Sequence, residues 1–259
     1  MERAAGLAGA RYQARPRLGI ITGSGPEAGM DMWAKLLVEN RRRLGPRFRG
    51  DIDAPALRLV SDPELGLSME LETTEDQVWL ALRDAICALD GQVAAFAIAC
   101  NTLNLFAERI AGLRLQSEFV SFQGVVHAWA AEQGIQQLCV LGGRQVAELG
   151  AWSAYRALAG QVRCEPVPDA AALHQLIYDI KTHGAEHPGL AARFDTLLAG
   201  IGSDTVLLAG IGSDTVLLAC TELPLLNGLN TSKNLVDVTQ LVAQALLDHS
   251  GVFATEPSP

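Results

Sequence analysis

The chain has no apolar run of the roughly 18–20 residues that a membrane-crossing helix needs, so no membrane partner is expected. It has no CxxC pair and no HExxH, so a metal site is not expected. Positive charge is scarce: 20 Lys and Arg face 29 Asp and Glu, a formal charge of -9. That argues against a nucleic-acid partner, which wants a basic face. Cysteine is limited to Cys87, Cys100, Cys139, Cys164 and Cys220, an odd count with no secretory apolar segment ahead of it. Free thiols in a reducing cytoplasm fit that pattern. Arg3, Arg11, Arg15 and Arg17 open the chain beside one acid, Glu2, but serine and an apolar face are missing there. The reading for 1–16 is therefore a disordered extension rather than a transit peptide.

What is present is an alternation of strands and helices. With 259 residues and 49% hydrophobic content the chain can bury a substantial core. Strands are expected at 17–22, 56–60, 93–99, 138–141, 162–165 and 215–219, with a short one at 234–236. Helical spacing covers 27–44, 74–89, 103–113, 125–132, 146–158, 170–181, 190–199 and 238–247. In the first helix Met30, Trp33 and Leu37 share one apolar face. Such alternation predicts an α/β fold with mainly parallel, helix-covered sheets.

Two strands end alike. Ala95-Phe96-Ala97-Ile98-Ala99 leads into Cys100-Asn101-Thr102, and Thr215-Val216-Leu217-Leu218-Ala219 leads into Cys220-Thr221-Glu222. Ligands of open α/β sheets bind at the carboxyl ends of strands. A lone cysteine at a strand end is usually packing. Two, each beside hydroxyl or amide groups and before a helix start, suggest thiols that take a proton from one face of a carbon and return it to the other. A redox pair is the competing chemistry. The two strands lie about half a chain apart, which predicts two similar subdomains: 17–117 with 231–250, and 118–230. The first strand ends in Gly23-Ser24-Gly25-Pro26, a turn that can face an anion at a helix start but is far more often a plain tight turn. His183 and His187 lack partners at ligand spacing and read as loop.

Leu197 to Val206 is repeated letter for letter as Leu207 to Val216. A ten-residue period is too short for a solenoid unit. The cysteine must follow its strand directly, so the second copy is expected in that strand. The first copy is expected to become a reshaped helix end plus loop.

The residues now in view resemble the aspartate/glutamate racemase family, its aspartate racemase-like branch above all. The resemblance is carried by Leu18-Gly19-Ile20-Ile21-Thr22-Gly23-Ser24-Gly25-Pro26, Ala99-Cys100-Asn101-Thr102, Ile177-Tyr178-Asp179-Ile180-Lys181 and Leu218-Ala219-Cys220-Thr221-Glu222-Leu223-Pro224. It implies two similar Rossmann-like subdomains, a site in the cleft between them, no cofactor, an amino-acid substrate and a homodimer. It also implies Cys100 and Cys220 as proton-transfer groups. Thr22, Gly23, Ser24, Asn101, Thr102, Thr221, Glu222, Lys181 and Tyr178 are the implied substrate-binding set, to which Arg144 is added for its charge alone, as a replacement for an arginine the family carries elsewhere. The chain departs from the pattern at Ser68, where the aspartate-specific branch carries arginine, at Gly142-Gly143-Arg144-Gln145 in place of a Thr-rich turn, and at Asn104 in place of a frequent histidine. A lyase or isomerase of the same fold, and an inactive relative that only binds, stay open as alternatives to a racemase.

Overall fold

The computed structural model describes residues 15–202 and 214–251. Two four-stranded, all-parallel sheets form the frame. The first runs in the order β2 (Leu57–Ser61), β1 (Leu18–Thr22), β3 (Ala95–Ile98), β4 (Glu118–Phe119). The second runs β6 (Arg163–Glu165), β5 (Gln137–Leu141), β7 (Thr215–Leu218), β8 (Asn234–Asp237). The helices are α1 (Pro26–Leu44), α2 (Leu71–Leu89), α3 (Ala107–Ala111), α4 (Phe122–Glu132), α5 (Arg144–Ala147), α6 (Ala170–His183), α7 (Leu190–Gly200) and α8 (Val238–Asp248). None of the described helices is long and apolar enough to cross a membrane. The described residues contain no cluster of three or more His, Cys, Asp or Glu placed to hold a metal ion.

Alternation along the strands divides the apolar residues among three cores. Leu18 and Ile20 of β1, Ala95 and Ala97 of β3, Leu138 and Val140 of β5 and Leu217 of β7 all enter one shared core, closed by α1, α4 and α8. The opposite faces of the first sheet, through Ile21, Phe96 and Ile98, pack under α2. Those of the second sheet, through Cys139, Leu141, Val216 and Leu218, pack under α6 and α7. Period-two geometry then puts Cys100 and Cys220 on the same side of their strands as these outer residues, away from the shared core.

Several expectations change. Met30, Trp33 and Leu37 are 59%, 43% and 38% exposed, while Ala28, Met32 and Leu36 are buried. Helix α1 carries two apolar stripes. The buried one continues through polar Glu39 and Asn40, whose side chains are tied to Arg42, Arg43 and the Asp53 carbonyl. The helix expected at 146–158 is only Arg144–Ala147, because Leu149 turns left-handed (φ 52°) ahead of Gly150. Helix α2 begins at Leu71, after a 3-10 segment Pro63–Glu70, rather than at Thr74. Only the second half of the helix expected at 103–113 is α-helical, the first being the 3-10 turn Thr102–Phe106. Strand β4 pairs with β3 through two residues, too few for a sequence pattern. The segment 231–250 is split between the halves: β8 pairs with β7 in the second sheet, while α8 packs on α1 and α4.

Of the repeat, the first copy supplies Leu197–Gly200 at the end of α7 and the turn at Ile201 and Gly202. The second supplies Thr215 and Val216 of β7. Residues 203–213, like the 1–14 part of the expected extension, lie outside the described residues.

Candidate active site

Each cysteine stands where a central strand has just run out. Cys100 follows β3 and precedes the 3-10 turn; Cys220 follows β7 and precedes a second such turn, Leu223–Leu225. The two sheets converge there on a cavity of about 20 Å³, room for about one water molecule. Ser24, Cys100, Asn101, Thr102, Lys181, Cys220, Thr221 and Glu222 all line it. Met69, Gly143, Ile177 and Ala219 complete the wall. Thr22, Gly23, Tyr178 and Arg144 are not among the lining residues. The Thr22 hydroxyl donates to the Gly25 carbonyl (2.9 Å) and shapes the turn. Tyr178 bonds Glu70 at the protein surface. Arg144 is exposed, and its backbone N–H reaches His174 at 3.4 Å.

Around Cys100 the groups are neutral. Its thiol donates to Ser24 Oγ at 3.3 Å, and Ser24 Oγ lies 2.6 Å from Ser68 Oγ. Ser68 Oγ is 4.0 Å from the same sulfur. Around Cys220 they are charged. Its thiol donates to Glu222 Oε2 at 3.0 Å, and the Thr221 hydroxyl donates to the same oxygen at 3.2 Å. Glu222 Oε1 accepts from the Lys181 ammonium, which also donates to the Ser24 carbonyl. Lys181 thus joins the glycine turn of the first half to Glu222 of the second. Burial first, then the Glu222 charge, pushes the Cys220 thiol well above its ordinary value. Burial works against the charge on Lys181, but the Glu222 carboxylate, above all, outweighs it and holds the ammonium above its ordinary value.

Glycine is required where the turn meets this pair. Gly25 has φ +137°, and a Cβ there would lie 2.2 Å from Glu222 Oε1. Gly23, at φ +130°, passes so close to Asp62 that a Cβ would meet its carbonyl at 1.8 Å. The start of α1 is accordingly occupied by a carboxylate and an ammonium of the chain itself.

No protein-family model matches the chain, and no curated protein matches it. Solved structures do. The aspartate racemase of Picrophilus torridus superposes with a TM-score of 0.72 at 19% identity, over 91% of this chain and 94% of that one. An aspartate racemase homologue from Pyrococcus horikoshii gives 0.65 at 18%, over 91% and 99%. A glutamate racemase from Campylobacter jejuni gives 0.56 at 15%, over 89% and 85%. The chain has the aspartate/glutamate racemase fold. In the racemase fold of this chain both halves take part, since the two sheets, the shared core and the cavity all fall within the described residues. The parts of the site that sequence reading missed are Met69, Ile177 and Tyr155. Ile177 is next to Tyr178 in the quoted motif. Tyr155 sat in a stretch read only as helix, with no role given to it, yet its hydroxyl bonds Asn101 Oδ1.

Proposed function

We propose that the chain is a cofactor-independent amino-acid racemase in which Cys100 and Cys220 exchange protons with Cα. The observation that carries this is the delivery of two thiols, from equivalent strands of two sheets, to one cavity lined by amide, hydroxyl and charged groups. Burial and Glu222 favour Cys220 as a thiol, the proton donor of one direction. Cys100 then acts as base in that direction, with the Ser24 hydroxyl able to turn and donate to its thiolate. The reverse direction exchanges the roles, as two-sided acid–base chemistry requires. Asn101, Thr102 and Thr221 offer donors to an α-carboxylate, Lys181 offers a charge, and Glu222 offers an acceptor to an α-ammonium. The reaction belongs in a reducing compartment such as the cytoplasm, because all five cysteines are free and two must remain thiols.

Substrate choice turns on Ser68, which stands behind the cavity wall, against the Ser24 hydroxyl and 4.0 Å from the Cys100 sulfur. Ser68 is 1% exposed and held against Ser24. An arginine there would have to displace that pair. Without it, a distal carboxylate loses a charge-assisted bond that is typically worth about 1.5–3 kcal/mol, roughly 10- to 150-fold. In D2O, deuterium should enter Cα of one or more amino acids from a panel, with no large preference for aspartate. Absence of exchange across the whole panel rejects the racemase reading. A kcat/KM for aspartate hundreds-fold above that for neutral amino acids rejects the specificity reading alone.

A homodimer belongs to the same proposal. Its support is the exposed apolar face of α1, Met30, Trp33, Leu37 and Val38, which a second copy would cover. Light scattering of the purified chain should give twice the monomer mass of 27.5 kDa; a monomer at micromolar concentration overturns it.

A further inference from the structure

Asn101 lines the cavity and is 3% exposed, yet its Nδ2 has no hydrogen-bond partner. A buried amide donor left bare is costly and needs an explanation. Its other arm is taken: Oδ1 accepts from the Tyr155 hydroxyl. Tyr155 is 0% exposed and comes from the opposite half of the fold. It is aimed inward by a local device. Ser153 Oγ donates to the Val146 carbonyl at 3.0 Å and accepts from the Tyr155 N–H at 3.1 Å, closing the turns that replace a helix there. The tyrosine ring packs in the shared core.

A side-chain amide has two faces of opposite chemistry, an acceptor and a donor. Whichever face Tyr155 engages decides which one remains for a ligand. A phenol that donates to Oδ1 leaves Nδ2 for the cavity. We infer that Tyr155 is a positioning residue: it locks the Asn101 amide so that Nδ2 is presented to a carboxylate of the ligand. The ligand class is an amino acid or another small carboxylate, and the inference rests on the racemase reading only for that choice. Tyr155 does not touch the reacting atoms. It acts across the boundary between the halves, so the donor is correctly set only while both are docked.

The test uses Tyr155→Phe and Asn101→Ala in the full chain. In spectra of the 15N-labelled protein, the Asn101 side-chain amide is assigned by its loss in N101A. It should shift in Y155F without ligand, and in the unaltered protein on adding an L-amino acid that is turned over, or L-aspartate, L-glutamate or L-alanine if none is. In kinetics, Y155F should raise KM by about tenfold or more, with kcat changed by less than about threefold. Adding Y155F to N101A should raise KM no further, because the effect runs through that amide. An Asn101 signal that does not move in Y155F overturns the inference, as does a further KM rise in the N101A background. A signal that moves in Y155F but is unaffected by every amino acid also overturns it. If ligand moves the signal but no variant exchanges Cα hydrogen, the racemase reading fails while the positioning role stands.

Discussion

Alanine at Cys100 or at Cys220 should each lower racemisation by about 10²–10⁴-fold, the usual worth of a positioned acid or base. The two losses should not multiply in the double variant, since removal of one thiol already breaks the two-sided transfer. Both side chains are small and lie at strand ends, so the folded structure should survive with little change in circular dichroism. The single variants should still differ from each other. C100A keeps the thiol that burial and Glu222 hold protonated, and C220A keeps the one beside Ser24 and Ser68. Each should therefore exchange Cα hydrogen with solvent from one enantiomer only, and the two should favour opposite enantiomers. Equal racemisation rates in either single variant and the parent would remove that cysteine from the mechanism.

The second large effect should come from Lys181. Its ammonium and the Glu222 carboxylate form an ion pair in which the side chains are 19% and 4% exposed. Lys181→Met leaves a buried carboxylate facing only a thiol and a hydroxyl. Breaking such a pair from one side typically costs 3–5 kcal/mol, and here about 3 kcal/mol is expected because Lys181 retains some solvent. Urea denaturation should show it as a lower midpoint at unchanged slope. Lys181→Met combined with Glu222→Gln should recover part of the loss, since no uncompensated charge is then buried. Activity should fall in both, through the lost charge opposite the substrate. If K181M is as stable as the parent, the Lys181–Glu222 pair does not hold the halves together at the glycine turn.

Much of this arrangement was legible in the residues. Strands end in the same kind of sentence twice, so the two cysteine positions and their neighbours Asn101, Thr102, Thr221 and Glu222 could be found by eye. Lys181 was reachable only through the resemblance of Ile177-Tyr178-Asp179-Ile180-Lys181 to the family's motif, not through any local pattern. Other features were not, for definite reasons. Helix α1 has two apolar stripes and nothing local says which faces inward. The turns that bring in Tyr155 depend on Ser153 bonding a carbonyl seven residues back, which no periodicity encodes. Arg144 was reached for its charge alone, but it starts a four-residue helix and points to solvent. The pairing of β8 with β7 is a tertiary fact about two short strands, invisible to a rule that follows chain order.

The single core shared by the two sheets restricts how a guest can get in. A cavity of about 20 Å³ cannot admit an amino acid as it stands. Parting the halves like a clam shell would bring Leu18, Ile20, Ala97, Val140 and Leu217 into water together, and each large aliphatic side chain exposed costs roughly 1.5–3 kcal/mol. Swinging the short segment Pro63–Glu70, which contributes Met69 to the wall, has Leu67 exposed and buries Leu65 and Ser68, would uncover one large buried aliphatic side chain, Leu65, rather than several. Entry past that segment alone would leave the core between the sheets shut and the two strand ends that carry Cys100 and Cys220 where they are.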